Sequence, residues 1–243
     1  MRLSWLVLAL MLAPSQSRQA DTGAESYQYK VEWRLIHAGD VRLGRTRTSN
    51  GWQARLQLQS AGLVSLLYRV DDLYLAQFGE NLCAAGSTLT AHEGSRQRET
   101  RITYDSERRK AAYVERDLRR NSTIDSHEID VPACVHEIVS GLYRLRSLRL
   151  PAGKNAEIPI TDGKRSVSAR VEAQQQESVE TPAGRFKTIR YEAFLFNDVL
   201  YRRSGRLFIW LTDDERRAPV QIRARLQFPI GTITLQLVKE EGT

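Results

Sequence analysis

Two cysteines and two nearby histidines are the residues whose types could form a covalent cross-link or hold a metal. The cysteines are Cys83 and Cys134, and His92 and His136 follow them in the chain. Zinc sites usually pair their ligands in patterns such as Cys-x2-Cys. The close pairs here are Cys-x8-His and Cys-x-His, so we expect no metal. We favour a disulfide between the cysteines, with two free thiols as the alternative.

The remaining polar residues form no recognisable catalytic motif. Asp213 and Asp214 are adjacent, and neighbouring strand residues point to opposite faces, so these two do not form a carboxylate pair across a substrate. The sequence lacks G-x-S-x-G, P-loop, G-x-G-x-x-G and H-E-x-x-H motifs. A Ser-His-Asp triad stays open, because triads assemble in space. We therefore predict no catalytic residue, no cofactor and a function other than catalysis.

The N-terminus has the pattern of a secretory signal peptide. Arg2 precedes an apolar run at 3–13, which is shorter than the roughly 20 residues needed to cross a bilayer. Ser15 and Ser17 are small residues at the −3 and −1 positions of a signal-peptidase site, which predicts cleavage after Ser17. Residues 1–17 are therefore the expected signal peptide, with cleavage after Ala20 as the alternative. No cysteine lies near this site, and we expect no lipobox anchor. The protein is therefore expected to be periplasmic or secreted.

The charge of the chain suggests partners and excludes one class. Its formal net charge is +7, and arginines form small clusters such as Arg119-Arg120 and Arg202-Arg203. A basic exported protein is attracted to anionic headgroups, so a membrane surface or an envelope protein is a candidate partner. We favour the simpler interpretation, in which these arginines form a solvated surface. We expect no nucleic-acid binding, because it would need a basic stripe on a matching fold and export argues against it.

Most of the chain alternates apolar and polar residues, as strands of an antiparallel sheet with one dry face do. The clearest segments are 29–35, 52–59, 167–171 and 233–237. Turn signals separate such segments at Asn50-Gly51, Asp162-Gly163, 182–184 and 229–231. We predict a mainly β protein with twelve or more strands joined by short hairpins, in a single domain over residues 24–240.

Some segments break the alternation. Residues 194–196 and 207–211 are apolar on both faces, so strands there must be covered on both sides, and we favour covering by the protein itself. Residues 134–147 have the period of an amphipathic helix, and 62–67 could form a short helical turn. A disulfide at Cys134 would then fasten the start of the longer helix to the strand region around Cys83.

Several of these segments together resemble a known family. They are 29–33, 67–72, 140–146, 180–188 and 209–220. From about Tyr27 to Val238 the chain resembles the bacterial envelope family catalogued as domain of unknown function 3108. The resemblance implies a secreted or periplasmic protein with a large curved antiparallel sheet, an open barrel or β-spiral. That shape is similar to the half-barrel of periplasmic lipoprotein carriers, with a helix in or over the concave side. It implies no known activity and no catalytic residues.

These expectations favour a binder of a hydrophobic ligand, such as a lipid or acyl chain, on the concave sheet under the helix. The residues expected to line the groove are Trp33, Leu35, Tyr143, Phe208 and Trp210. The first alternative is a structural or interaction protein of the envelope with a filled interior, and the second is an enzyme with an unrecognised site. An apolar cavity of several hundred Å3 on the concave face would favour the binder.

Overall fold

A computed structural model describes residues 24–241, and within them the chain forms fourteen strands and two helices. The strands are β1 (Glu25–Trp33), β2 (Ile36–Thr48), β3 (Gly51–Ser60), β4 (Val70–Phe78), β5 (Ala84–Glu93), β6 (Arg96–Asp105), β7 (Lys110–Asp117), β8 (Ser122–Asp130), β9 (Asn155–Thr161), β10 (Ser166–Thr181), β11 (Gly184–Ala193), β12 (Gly205–Thr212), β13 (Pro219–Leu226) and β14 (Thr232–Glu241). The helices are α1 (Gly62–Leu67) and α2 (Ile138–Leu148). The predicted mainly β class is confirmed. The predicted signal peptide, 1–17 or 1–20, lies outside the described residues.

All the strands belong to one antiparallel sheet in which almost every strand pairs with its neighbour in sequence. The order is β8-β7-β6-β5-β4-β3-β2-β1-β14-β13-β12-β11-β10-β9. The first strand of the chain, β1, pairs with the last, β14, in the middle of the sheet, with Val31 opposite Leu235. Strands β8 and β9 are therefore the two edges of the sheet, and backbone hydrogen bonds between strands do not close it.

The sheet curls until the hairpin at one edge touches strands beside the other edge. Gly163, in the β9–β10 turn, has a φ of 84°, and a Cβ atom there would lie 2.6 Å from Ile102 Cδ1 of β6. The Nζ atom of Lys164 lies 3.1 Å from Asp125 Oδ2 of β8. These contacts give the sheet the shape of an open barrel, which confirms the predicted architecture.

The two helices lie near the predicted positions, with one correction. The sequence predicts the longer helix around 134–147, whereas α2 spans Ile138–Leu148. The preceding residues are extended because His136 N donates to Pro159 O of β9 at 2.9 Å, which holds this segment as a short bridge to the sheet. The short turn predicted at 62–67 is α1. Within residues 24–241 neither helix is long and apolar enough to span a bilayer.

The core lies inside the barrel, around α2. One cluster joins β1–β4, β13, β14 and one side of α2, and includes the buried side chains of Tyr29, Phe78 and Leu237. A second cluster joins the other side of α2 to β9–β12, and includes Leu145 and Leu211. Each such side chain contributes about 1.5–3 kcal/mol when it is fully buried. The helix is therefore part of the core, and its contacts with the sheet hold it in place.

Strand β12 is covered by protein on both faces, as its doubly apolar sequence requires. Its inner face carries Leu207, Ile209 and Leu211. On the outer face, the guanidinium of Arg206 lies 4.8 Å from the ring of Phe208, and that of Arg223 lies 5.2 Å from the ring of Trp210. Arginine side chains can cover aromatic rings in this way while their charged ends stay hydrated.

Candidate functional site

An apolar cavity of about 310 Å3 lies between α2 and the inner face of the sheet. Strands β1–β3 and β9–β14 form its outer wall. On the helix side it is lined by Ile138, Val139, Gly141, Leu142 and Leu145. None of its lining residues carries a charge, and small-molecule pockets commonly have this size. The cavity can therefore accept an apolar group and offers nothing to hold an ionic one.

A buried carboxyl fixes the first turn of α2. Glu137 is the N-cap, and its carboxyl accepts hydrogen bonds from Val139 N at 2.6 Å and Ser140 N at 2.5 Å. The hydroxyl of Tyr74, in β4, donates to the same carboxyl at 2.9 Å. Burial raises the pKa of Glu137 above the ordinary value of a glutamate, against the effect of these donors. The contacts fasten the start of the helix to the sheet.

A largely buried ion pair fixes the other end of α2. Arg146 donates to both carboxyl oxygens of Glu25 in β1, at 2.7 and 3.0 Å. It also donates to the backbone oxygens of Arg216 and Arg217, each at 2.9 Å. Burial acts to raise the pKa of Glu25, but Arg146 and Arg45 outweigh burial and lower this pKa below its ordinary value. The helix therefore has fixed contacts at both ends and forms a rigid wall of the cavity.

The segment that leads into α2 is held by the predicted disulfide. Cys83, in the β4–β5 turn, is bonded to Cys134, and their Cα atoms are 4.9 Å apart. Two residues later, His136 Nδ1 lies 2.8 Å from the backbone oxygen of Leu82. Burial lowers the pKa of His136, so the neutral ring donates from Nδ1 to Leu82. Among the described residues, no group of three or more His, Cys, Asp or Glu side chains could hold a metal ion.

A second cavity, of about 330 Å3, adjoins the first at the start of α2. Both cavities are lined by Leu56, Ile138, Val139 and Tyr201. The second also has polar walls, formed by Asp72, Tyr74, Ser87, Thr100, Thr161 and Asp162. Burial, followed by the charge of Glu93, raises the pKa of Asp72, although the His92 amide donates to it at 3.0 Å. An apolar chamber thus borders a chamber of mixed polarity.

A wider depression of about 860 Å3 opens at the end of the barrel that carries α1. Its walls include Trp33 of β1, Tyr68 next to α1 and Phe228 of the β13–β14 turn. Trp33 is held by its indole N–H, which donates to Ile230 O at 2.6 Å. Leu58 lines both this depression and the second cavity. The side chain of Leu58 therefore borders both spaces.

The five groove residues predicted from the sequence do not line the apolar cavity. Tyr143 is on α2 but packs in the core beside the cavity, and Phe208 and Trp210 lie on the outer face of β12. Trp33 lines the depression at the barrel end. Leu35 is exposed at the β1–β2 turn, with a φ of 71°. The structure thus places the predicted aromatic residues around the cavity rather than in it.

The residues that do line the cavity are mostly aliphatic, and the sequence pattern predicts some of them. The apolar face of the helix, which includes Ile138 and Leu142, faces the cavity. The apolar face of the strand that contains Val171 faces it too. The segment 194–196, predicted as a strand, is a loop after β11, yet Leu195 and Phe196 reach the cavity from it. Four of the five predicted groove residues are aromatic, whereas the cavity is lined mainly by aliphatic side chains.

Comparison with solved structures identifies the same architecture. The chain is similar to the crystal structure of a β-barrel-like protein of domain of unknown function DUF1849 from Brucella abortus, with a TM-score of 0.55 and 9% identity, over 90% of this chain and 98% of that chain. It is also similar to a candidate exported protein with a YmcC-like fold from Bacteroides fragilis, with a TM-score of 0.39 and 8% identity, over 89% and 95% of the two chains. At the identity of the first structure, the likeness concerns the fold alone. No curated protein matches the chain.

The sequence matches one family along most of its length. Residues 28–238 match the family described as protein of unknown function (DUF3108). This span includes all the residues that line the apolar cavity, from Tyr29 to Leu235. The resemblance found in the sequence is confirmed, and the chain belongs to the DUF3108 family.

Proposed function

We propose that this protein is an envelope protein that binds the hydrocarbon chain of a lipid, or of a similar amphipathic molecule, in the cavity under α2. The carrying observation is the cavity of about 310 Å3 with no charged lining residue. Water gains few hydrogen bonds in such a space, so an apolar ligand enters it without displacing well-bound water. A disulfide in the described chain supports an oxidising compartment such as the periplasm.

The second cavity supports an amphipathic ligand over a pure hydrocarbon. Its walls include the hydroxyls of Ser87 and Thr100, which can donate or accept hydrogen bonds, and that of Thr161, which already donates to Arg165 O at 2.6 Å. It adjoins the apolar cavity, so a ligand whose chain lies under α2 has its polar end among these groups. The carboxyl of Asp72 in the same wall disfavours an anionic end group there. The proposed ligand therefore has a polar end that carries no negative charge.

We propose binding rather than catalysis for this site. The polar walls of the second cavity include no histidine or cysteine, so no nucleophile there has a histidine base beside it. The carboxyl of Asp162 accepts hydrogen bonds from the amides of Lys164 and Arg165 at 2.9 and 2.8 Å, which assigns it to the β9–β10 turn. These groups can orient a ligand and give no defined route for a proton.

The test is to fill the apolar cavity and measure ligand uptake. Ala193→Leu adds volume inside the cavity, because Ala193 is a buried lining residue. The purified protein, freed of bound lipid, is titrated with an uncharged fluorescent monoacylglycerol analogue and with an unlabelled monoacylglycerol that competes for it. We expect wild-type protein to bind both, and Ala193→Leu to weaken binding by about tenfold or more.

The matched control is Ala112→Leu, the same change at an exposed position of β7. It should leave probe binding unchanged. If Ala193→Leu unfolds the protein, Ala169→Leu on β10 fills the same cavity from another strand. Wild-type protein that takes up neither probe, or cavity-filled variants that are folded and bind as well as wild type, would overturn the proposal.

A further inference from the structure

One end of the barrel exposes an unusual number of large apolar side chains. They are Leu35, Leu63, Leu66, Leu67 and Phe228, with exposed fractions of 92%, 68%, 82%, 84% and 87%. We refer to these five residues as the apolar rim. Single exposed apolar residues are common on protein surfaces, but a group at one end of a molecule marks a contact surface.

The apolar rim is continuous because its residues lie on adjacent connections. Every second connection of an antiparallel sheet lies at the same end, so the β1–β2, β3–β4 and β13–β14 connections are together. Trp33 pairs with Ile233, which sets the β13–β14 turn beside the β1–β2 turn. The guanidinium of Arg34 lies 5.8 Å from the ring of Phe228. The third connection is α1, and Val64 of that helix lines the same depression as Phe228.

Exposed arginines surround this end. They are Arg34, Arg69, Arg96, Arg119, Arg120, Arg202 and Arg203. Hydrogen bonds link these connections. The Gly94 amide donates to Arg69 O at 2.7 Å, and the Arg119 guanidinium donates to Ser95 O at 3.1 Å. Within residues 24–241 none of these seven arginines forms an ion pair with a carboxylate. The connections that carry the apolar rim contain no acidic residue, and Asp198 lies in the connection of Arg202 and Arg203. At the adjoining strand ends, Glu93 pairs across the sheet with Arg96, and Asp117 accepts from the amides of Arg119 and Arg120 at 2.9 Å.

Apolar tips within a ring of exposed arginines are complementary to an anionic lipid surface. Protruding leucine and phenylalanine side chains insert into the headgroup region, while arginines contact phosphates at the same depth. A protein partner would instead need a separate pocket for each of several tips on different connections. The charge of this end and the scattered placement of its tips therefore favour a bilayer over an acidic protein.

We propose that this end of the protein docks onto bilayers that contain anionic phospholipid, with the apolar rim inserted among the headgroups. The docking is a property of the surface and does not depend on the ligand proposed for the interior. It has a geometric consequence for that ligand, however. The depression inside the rim shares Leu58 with the second cavity, so docking would place the membrane beside a depression that borders this cavity.

Vesicle co-sedimentation tests the docking. Purified protein, with its N-terminus determined by mass spectrometry, is mixed with phosphatidylcholine vesicles or with vesicles in which part of this lipid is replaced by phosphatidylglycerol. We expect strong binding to the anionic vesicles that weakens with salt. Leu66→Ser/Leu67→Ser should reduce this binding by about tenfold or more, because two inserting side chains are lost. Arg69→Gln/Arg203→Gln should reduce the preference for anionic vesicles.

Matched controls at the other end of the barrel separate docking from general effects. Arg185→Gln/Lys187→Gln removes two exposed positive charges from β11, and Val238→Ser removes an exposed apolar side chain from β14. Both should leave vesicle binding unchanged, as should Ala193→Leu inside the barrel. The proposal is overturned if wild-type protein ignores anionic vesicles, or if the rim variants bind like wild type. It is also overturned if light scattering shows a dimer that Leu66→Ser/Leu67→Ser abolishes, because a second copy would then cover the rim.

Discussion

The two ends of the barrel are built in opposite ways. At one end, which we call the closed end, Glu25 and Arg146 form a buried ion pair, and a disulfide joins Cys83 to Cys134. At the other end, the apolar rim leaves five large side chains in solvent beside arginines that form no ion pair within the described chain. The closed end thus contains cross-links between distant parts of the chain, whereas the rim contains side chains with few partners.

This difference indicates how the protein can separate stability from binding. Contacts that hold α2 in place are concentrated at the closed end and at the helix start, so the cavity wall does not depend on the rim. Residues at the rim are free to contact a lipid surface without a loss of packing. Binding surfaces are commonly drawn from the less stable parts of a fold, because their side chains must change neighbours.

Loss of the disulfide should have the largest effect. Replacing both cysteines, in Cys83→Ser/Cys134→Ser, opens a loop whose ends are 51 residues apart in sequence. The chain-entropy model assigns such a loop about 4 kcal/mol of stabilisation. We expect the free energy of unfolding in urea to fall by about this amount, while the circular dichroism spectrum of the folded protein stays the same.

The control is wild-type protein in a thiol reductant strong enough to open the disulfide. Its unfolding midpoint should move to that of the double variant, whose own midpoint should not respond to reductant. A double variant as stable as oxidised wild type would show that the closed end does not depend on this cross-link.

Loss of the buried ion pair should have the next largest effect. Arg146→Met replaces the guanidinium with an apolar side chain of similar length. The carboxyl of Glu25 then has Arg45, at 3.3 Å, as its remaining cationic partner. Breaking a buried pair on one side costs about 3 kcal/mol or more. We expect Glu25→Gln/Arg146→Met to be less destabilised than the sum of the two single variants, because each single change leaves a partner unpaired.

The same pair sets a pH dependence. The pKa of Glu25 is lower in the folded protein than its ordinary value, so its contribution to stability is present above that value and is lost as the pH falls through the lowered pKa. The difference in unfolding free energy between wild type and Arg146→Met should therefore shrink as the pH falls into the acidic range. A difference that stays constant from neutral to acidic pH would mean that the carboxylate charge does not contribute.

The sequence predicts the strands and hairpins of the barrel better than it predicts how the first and last strands of the chain pair. Alternation and turn residues such as Asn50-Gly51 are local signals, and they identify the strands and hairpins. The pairing of β1 with β14 joins residues about two hundred positions apart, and no local pattern specifies it. The helix begins later than predicted because Glu137, a residue type that is not among the strongly preferred N-caps, ends an extended bridge there.

The candidate site was harder to predict for a related reason. In β12 both alternating phases are apolar, so the sequence alone does not decide whether Phe208 or Ile209 faces inward. Once the strands are paired, the arginines on the same face as Phe208 identify that face as the outer one. They are Arg206 of β12 and Arg223 of β13. The rim had a weaker signal still, since its leucines lie in connections where solvent exposure depends on the tertiary structure.

The smallest effect is expected at the rim, and it completes the comparison. Leu66→Ser/Leu67→Ser changes two side chains that are exposed by more than four-fifths, so the folded state loses little packing. We expect the free energy of unfolding to change by less than about 0.5 kcal/mol, as for surface substitutions away from special features. Urea unfolding of this variant, measured beside Arg146→Met, gives the ratio between the two ends. A loss above about 1 kcal/mol would show that the rim packs against its own chain and would remove the contrast on which its role as a free docking surface rests.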